Sequence, residues 1–304
     1  MVEIKGEIQE KIMEKINEIA RDNVHGATYL TVRALDVLEY AMRNLNGIEE
    51  DERINFLEDL SNELTASQPR MASIINLSNG IKYTLKRSDP GEIKNSLMSF
   101  LKDYRNVIIR SNERIPELAA SLIEKGFTIF THSSSSLVEK SILKAGEKFD
   151  DLSVICTESR PAYEGVYLAK TLSNKGINTH IVIDSGIYRF LEDADIVMVG
   201  ADHISENGLE NKIGTLGISS YCKNHGIPVY SVCQTSKIIE EDMLAVEMKK
   251  DPSEVWDEKL ENVDVLNYYF DTSPLGNFTG IVTERGILNR GEILSLVRSK
   301  PGTF

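Results

Sequence analysis

Apolar positions in the first ~110 residues recur every three or four places, the period of a helix with one buried face. Ile4, Ile8, Ile12, Ile16 and Ile19 form one such stripe, and the spacing continues through TYLTVRALDVLEYAMRNL and DERINFLEDLSNEL. Pro69 and Gly80 punctuate the segment, and RSDPGE (Arg87 to Glu92) reads as a turn with a helix start behind it. After Lys125-Gly126 the period changes. Short apolar runs of strand length alternate with amphipathic stretches: FTIFT (127–131), LSVICTE (152–158), THIVID (179–184), IVMVGAD (196–202), PVYSVCQ (228–234) and GIVTE (280–284). Buried strands alternating with helices predict a parallel sheet with crossover connections. Gly126, Gly176 and Gly226 each precede a strand, where a helix C-cap belongs. The expected fold class is therefore α/β, with a helical N-terminal domain over 1–122 and a sheet domain over 123–304.

A length of 304 residues suits two domains, and 41% hydrophobic with 27% charged residues is ordinary for a folded protein. No apolar stretch approaches the ~20 residues of a membrane span. The opening MVEIKGEIQEKIMEKINEIARD carries charges throughout, unlike a signal peptide, so a cytoplasmic protein with no membrane partner is expected. The net charge of −13, from 34 Lys+Arg against 47 Asp+Glu, repels phosphate backbones and argues against direct nucleic-acid binding. It leaves room for a local basic pocket that takes a small phosphate, or for a basic protein partner. Cys156, Cys222 and Cys233 are odd in number and widely spaced, which fits burial as small apolar residues rather than disulfides or a metal site.

Open parallel sheets bind ligands beyond the carboxyl ends of their strands. Five such ends carry polar, small or basic residues. They are His132-Ser133-Ser134-Ser135-Ser136, Glu158-Ser159-Arg160-Pro161, Asp184-Ser185-Gly186, Gly200-Ala201-Asp202-His203 leading into NGLENKIGT, and Gln234-Thr235-Ser236-Lys237. The serines suit a helix N-cap or a phosphate cradle of successive N–H groups and hydroxyls. Arg160 is a loop charge or a phosphate fork stiffened by Pro161. Asp202 by itself reads as a cap or structural partner, Lys212 as a surface or ligand-binding cation, and His132 and His203 as structural histidines. No group of residues has zinc spacing, so no metal is expected. GxGxxG, GxxxxGK[ST] and GxSxG motifs are absent, so no nucleotide cofactor or serine-hydrolase elbow is indicated.

Five strings, GADHISENGLENKIGT, TESRPAYEG, VIDSG, THSSSS and VTERG, together resemble one superfamily. It holds the alpha, beta and delta regulatory subunits of translation initiation factor 2B. It also holds the isomerases of methylthioribose 1-phosphate and ribose 1,5-bisphosphate. The resemblance covers essentially the whole chain and implies a helical N-terminal half followed by a Rossmann-like half with a sugar-phosphate pocket at the strand ends. In the isomerases a cysteine after the first strand and the aspartate of GAD form the acid/base pair. These positions fall on Ser133 and Asp202. The matching loops make Arg160, Asn211 and Lys212 ligand contacts. HGATYL (His25 to Leu30) stands where the isomerases carry an arginine- and glycine-rich phosphate loop. Gly26 and Ala27 match that loop, whereas His25 replaces the arginine and Thr28-Tyr29 replace Gly-Arg. The resemblance further implies a homo-oligomer, paired as a dimer through the C-terminal domain, with a phosphorylated ribose or nucleotide monophosphate as ligand and a translation initiation factor as partner. Tyr268, Tyr269, Phe270 and Phe278 suit either a dimer seam or core, and Asp271 in its D-x-[ST]-P context is expected to help close the pocket.

Ser133 matters most to the chemistry. A cysteine titrates near ~8.5 and is easily made an acid or base, whereas a serine needs an adjacent base. His132 is a poor activator, because neighbouring strand side chains point to opposite faces. Positioned proton transfer contributes about 10²–10⁴-fold, so its loss lowers turnover while leaving binding. The translation-factor subunits also lack the thiol, but they tend to carry glutamate where Asp202 stands. Two main readings follow: a binding subunit of the initiation factor 2B type with a retained pocket, or an aldose–ketose isomerase with Asp202 as base and Ser133 as a weakened donor. A third is an assembly subunit whose pocket is vestigial.

Overall fold

In the computed structural model the described residues are 6–22, 26–45, 47–89, 91–258 and 261–298. They form two compact units, one built on residues up to 110 with 236–245, the other on 111–235 with 246–297.

The first unit is helical: α1 (Gly6–Arg21), α2 (Ala27–Asn44), α3 (Glu50–Ser67), α4 (Ala72–Arg87) and the part of α5 (Ile93–Ala120) up to residue 110. The isoleucine stripe is the reason α1 docks. Ile12, Ile16 and Ile19 are buried with Leu35, Leu38, Leu57 and Leu64, and Ile8 packs at the margin. Ile4 and His25 lie outside the described residues. Tyr104 closes the core with its hydroxyl donating to the Ser73 carbonyl at 2.7 Å. Pro69 falls between α3 and α4, where the sequence pattern expects a break. Gly80 does not break the chain. It lies inside α4, and a Cβ there would come within 2.2 Å of the Phe100 ring, so its role is a close contact between helices.

The second unit alternates strands and helices: β1 (Thr128–Thr131), α6 (Ser136–Gly146), β2 (Ser153–Thr157), α7 (Glu164–Asn174), β3 (Asn178–Val182), α8 (Ile187–Phe190), β4 (Ile196–Val199), β5 (His203–Ser205), β6 (Gly208–Lys212), α9 (Thr215–His225), β7 (Val229–Val232), β8 (Phe270–Ser273), β9 (Gly280–Thr283), β10 (Gly286–Leu288) and α10 (Arg290–Val297). The main sheet runs β10-β9-β7-β4-β1-β2-β3, parallel except for β10 on the edge. Side-chain alternation sends Ile129, Val154 and Met198 to one face, with Val138, Ile142 and Leu168. It sends Phe130, Ile155 and Val197 to the other, with Ile187, Ile218 and Cys222. Both faces of the central strands are covered, so β1, β2 and β4 read as continuous apolar runs, whereas the edge strand β3 is largely exposed. β1 pairs with both β2 and β4, and the chain leaves it in opposite directions across the sheet. A crevice at the carboxyl ends of the strands belongs at such a switch point.

One element differs from the expectation. NGLENKIGT is not a loop, because Gly208–Lys212 forms β6 at the centre of a three-stranded antiparallel sheet, β5-β6-β8. The strand is hidden from hydropathy because its buried residues include Glu210, Asn211 and Lys212. Of the four late aromatics, Tyr268 is exposed, Phe270 opens β8, and Phe278 packs half-buried against the core.

Candidate functional site

The ends of β1 and β2 are joined by a directed chain of hydrogen bonds. The Ile213 carbonyl, 2.8 Å from His132 Nε2, can only accept, so Nε2 carries the proton. Nδ1 of the neutral ring then accepts from the Thr157 hydroxyl at 2.7 Å. Thr157 Oγ1 accepts in turn from Ser159 at 2.7 Å, and Ser159 Oγ accepts the Ser133 N–H at 2.8 Å. Burial holds the His132 pKa below its ordinary value of 6.5, against the pull of the Ile213 carbonyl. Ser133 (φ 66°), Ser159 (φ 60°) and Tyr163 (φ 58°) all sit in the left-handed region, which non-glycine residues enter at a cost of about 1–2 kcal/mol each.

The loop after β2 is anchored to β3. Both carboxylate oxygens of Asp184 are used, accepting the Ser159 N–H at 2.8 Å and the Arg160 N–H at 2.7 Å. The Arg160 guanidinium lies over the Tyr163 ring, 4.9 Å from its centroid, and donates to the Tyr163 hydroxyl and, at 3.2 Å, to the Glu254 carbonyl.

Two glycines bring β4 and α7 close to their neighbours. A Cβ on Gly200 would lie 2.9 Å from Ser135 Cβ and 3.7 Å from Asn211 Oδ1, so the Asn211 amide stands beside the start of α6. Ser135 is the N-cap of that helix, accepting the Val138 N–H at 3.5 Å. A Cβ on Gly165 would lie 1.8 Å from the Thr157 carbonyl oxygen, so α7 can begin this near β2 only with glycine there. Glu164, its first residue, thereby reaches Lys212, whose Nζ donates to Oε1 at 2.9 Å. The Lys212 side chain is only 3% exposed and lies 4.6 Å from the Tyr269 ring centroid.

The start of α9 is closed from within. Gly214 adopts φ 110°, and a Cβ there would meet His132 Nε2 at 3.0 Å. Its N–H and that of Leu216 both go to Asp271.

Of the residues singled out from sequence, Ser133, Arg160, Asn211 and Lys212 lie on or beside this hydrogen-bonded set. Half-buried Asp202 follows β4, its N–H donating to the Glu210 carbonyl at 2.8 Å. Gly26 and Ala27 stand at the start of α2 in the helical unit. Lys212 is a buried, paired cation rather than a surface one. The sequence does not mark Glu164 or Thr157, and it marks Asp184 only as a strand-end residue and Tyr269 only as a seam or core aromatic. Glu164 is visible in TESRPAYEG, but nothing in the string shows that its partner lies in β6. All three cysteines are buried, which pushes the Cys156 and Cys222 thiols up to about 12. Among the described residues no group of three or more His, Cys, Asp or Glu could hold a metal ion, and no helix is long and apolar enough to cross a membrane.

A mostly parallel sheet with polar residues at its switch-point strand ends, in a chain with a helical N-terminal half, is the architecture of a known class. Residues 23–290 match the Initiation factor 2 subunit family, and the chain belongs to it. It is 30% identical over 285 residues to a Methanocaldococcus jannaschii protein named ribose 1,5-bisphosphate isomerase, covering 91% of each chain. It is also 30% identical over 286 residues to a Pyrococcus horikoshii protein named putative translation initiation factor eIF-2B subunit 2-like, covering 92% of this chain and 97% of that one. The crystal structure of Pyrococcus horikoshii translation initiation factor eIF-2B superposes with a TM-score of 0.75 at 29% identity, covering 92% of this chain and 98% of that one. 5-Methylthioribose 1-phosphate isomerase from the same organism shares the fold, with a TM-score of 0.71 at 24% identity over 94% of this chain and 86% of that one.

Proposed function

We propose that the chain is a regulatory, ligand-binding subunit of the initiation factor 2B type, which holds a phosphorylated ribose or a nucleotide monophosphate at the strand ends without efficient turnover. The observation that carries this reading is the engagement of both His132 ring nitrogens, by Thr157 and by Ile213. The imidazole next to Ser133 therefore has no free nitrogen with which to take the serine proton, and an unactivated hydroxyl is a poor proton donor or acceptor near neutral pH. Ser133 and Asp202 stand in the acid/base positions of the isomerases. Arg160, Asn211 and Lys212 supply ligand contacts. Self-association as a dimer through the C-terminal domain and docking to a translation initiation factor belong to the same proposal.

A second reading, an isomerase of ribose 1,5-bisphosphate or methylthioribose 1-phosphate, is favoured by the retained Asp202 and by the Methanocaldococcus jannaschii relative. There a base removes a proton from one sugar carbon and the neighbouring carbon receives one, with Asp202 as the base. A coupled turnover assay with both sugars, run beside ligand titration, separates the two. Binding without turnover, with activity appearing in Ser133→Cys, supports the regulatory subunit. Turnover by the native chain that disappears in Asp202→Asn overturns it in favour of the isomerase.

A further inference from the structure

Resting on the reading of the strand-end crevice as a phosphosugar site, we infer that Glu164 is its specificity-determining residue, the carboxylate that recognises a hydroxyl of the sugar. One oxygen of this carboxylate is committed: Oε1 accepts from Lys212 Nζ at 2.9 Å. The other is not. Oε2 is buried and has no hydrogen-bond partner among the described residues. A buried carboxylate oxygen without a donor is costly, so a bound donor that completes it gains the bond without displacing another.

Three features assign Oε2 to a hydroxyl rather than to a phosphate. The first is charge: a carboxylate repels a phosphate dianion, while it accepts strongly from an O–H. The second is the state of Lys212. Its ammonium is already paired with Glu164 and covered by the Tyr269 ring, so this end of the crevice is neutralised rather than left as an anion trap. The third is that two neighbouring anion positions are filled by the chain itself. Asp271 occupies the N–H groups of Gly214 and Leu216, and Asp184 those of Ser159 and Arg160. Phosphate groups are thereby left to the serine-rich start of α6 and the Arg160 guanidinium, and the hydroxyl-bearing carbons to Glu164.

The position of Glu164 fits that division. It opens α7 directly after the β2 loop and its Oε1 accepts from Lys212 at the end of β6, so it ties two of the strand-end segments together. Gly165 fixes this placement by letting α7 start against the Thr157 carbonyl.

The test compares two probes with similarly spaced phosphates: ribose 1,5-bisphosphate and pentane-1,5-diol bisphosphate, which has no free hydroxyl. Each is titrated calorimetrically into the full chain, into Glu164→Gln and into Glu164→Ala, with thermal unfolding of each variant as the folding control. Removing the negative charge raises the affinity of both probes together, so the ratio of their affinities is the readout. The native chain is expected to prefer the ribose compound. The preference should fall about 10-fold in Glu164→Gln, where a neutral amide replaces the charged acceptor, and further in Glu164→Ala. An unchanged ratio in both variants overturns the assignment and leaves Glu164 as the partner of Lys212 alone. Binding of neither probe by the native chain overturns the phosphosugar reading itself, and the assignment with it.

Discussion

Asp271 accepts the backbone N–H of Gly214 at 2.6 Å, across 57 residues of chain, and the N–H of Leu216 at 3.0 Å. A carboxylate from β8 thus caps α9 in place of a local residue, because Gly214, at the N-cap position, has no side chain to do so.

Removing that cap is expected to destabilise the fold. Asp271→Ala leaves two N–H groups unmet and should cost about 1–2 kcal/mol by denaturant unfolding. The pH dependence has an unusual sign. Burial raises the Asp271 pKa above 3.8, outweighing the two N–H bonds that lower it, and Glu210 and Glu247 raise it further. The folded state therefore binds this proton more tightly than the unfolded state does. The contribution is complete below 3.8 and is lost as pH rises through the raised value. Melting temperatures of the native chain and Asp271→Asn, measured across that window, should diverge against the native chain as pH rises.

The Lys212–Glu164 pair makes a second expectation. Lys212→Met leaves the Glu164 carboxylate beside an apolar side chain and should cost about 1–3 kcal/mol. Glu164→Gln in the same chain should restore part of the loss, because the amide needs no counter-charge. A double-mutant cycle on unfolding free energies measures the coupling, and strict additivity of the two changes would show that the contact contributes nothing.

Much of this architecture is legible in the amino-acid sequence. The isoleucine stripe of α1 and six strands of the main sheet follow from period alone, because helix and strand repeats differ and each apolar run ends in a polar loop. What stayed hidden depends on long-range partners. β6 carries Glu210, Asn211 and Lys212, which look solvent-facing until the chain supplies buried surroundings for them. Gly80 reads as a breaker until Phe100 is seen packed against it. The strand-end residues were legible as a set, but the wiring among them was not. His132 meets Thr157 and Ile213 rather than Ser133, and neither contact is implied by adjacency in sequence.

Gly165 should be among the least tolerant positions of the sheet unit. An alanine Cβ would lie 1.8 Å from the Thr157 carbonyl oxygen and 2.9 Å from Ser159 Oγ. Main chain cannot turn aside as a flexible side chain can, so α7 must shift away from β2. Overpacking of a fixed contact costs about 1–3 kcal/mol and occasionally more. Gly165→Ala should therefore lower the unfolding midpoint, and it should also weaken ligand binding by moving Glu164 away from Lys212. Binding that survives a large loss of stability would show that α7 accommodates the methyl group without disturbing the crevice.

His132 gives the pH dependence at the other end of the scale. Its pKa is lowered, chiefly by burial, while Lys212 lowers it further, and the Ile213 carbonyl, Asp184 and Glu164 pull it up. The folded state therefore binds this proton less readily than the unfolded chain, whose histidine titrates at 6.5. The stability contribution is present above 6.5 and is lost as pH falls through that value toward the lowered one. Protonation would also put a donor on Nδ1, where the Thr157 hydroxyl already donates, so Thr157 and then Ser159 must reverse their bonds. With two lone pairs, Ser159 Oγ would then accept from both Thr157 and the Ser133 N–H and turn its own hydrogen toward the Thr157 carbonyl, and this rewiring of the strand-end loops is expected to lower ligand affinity over the same pH range as stability. His132→Asn removes the titrating group and is expected to flatten both profiles between pH 6.5 and the lowered value, with a pH-independent loss of about 1–3 kcal/mol for the altered hydrogen bonds. Parallel melting and titration series on the native chain and the variant measure both. A native profile that stays flat below 6.5 would show that the ring is not driven to charge when the chain unfolds, and would remove His132 as the source of acid sensitivity.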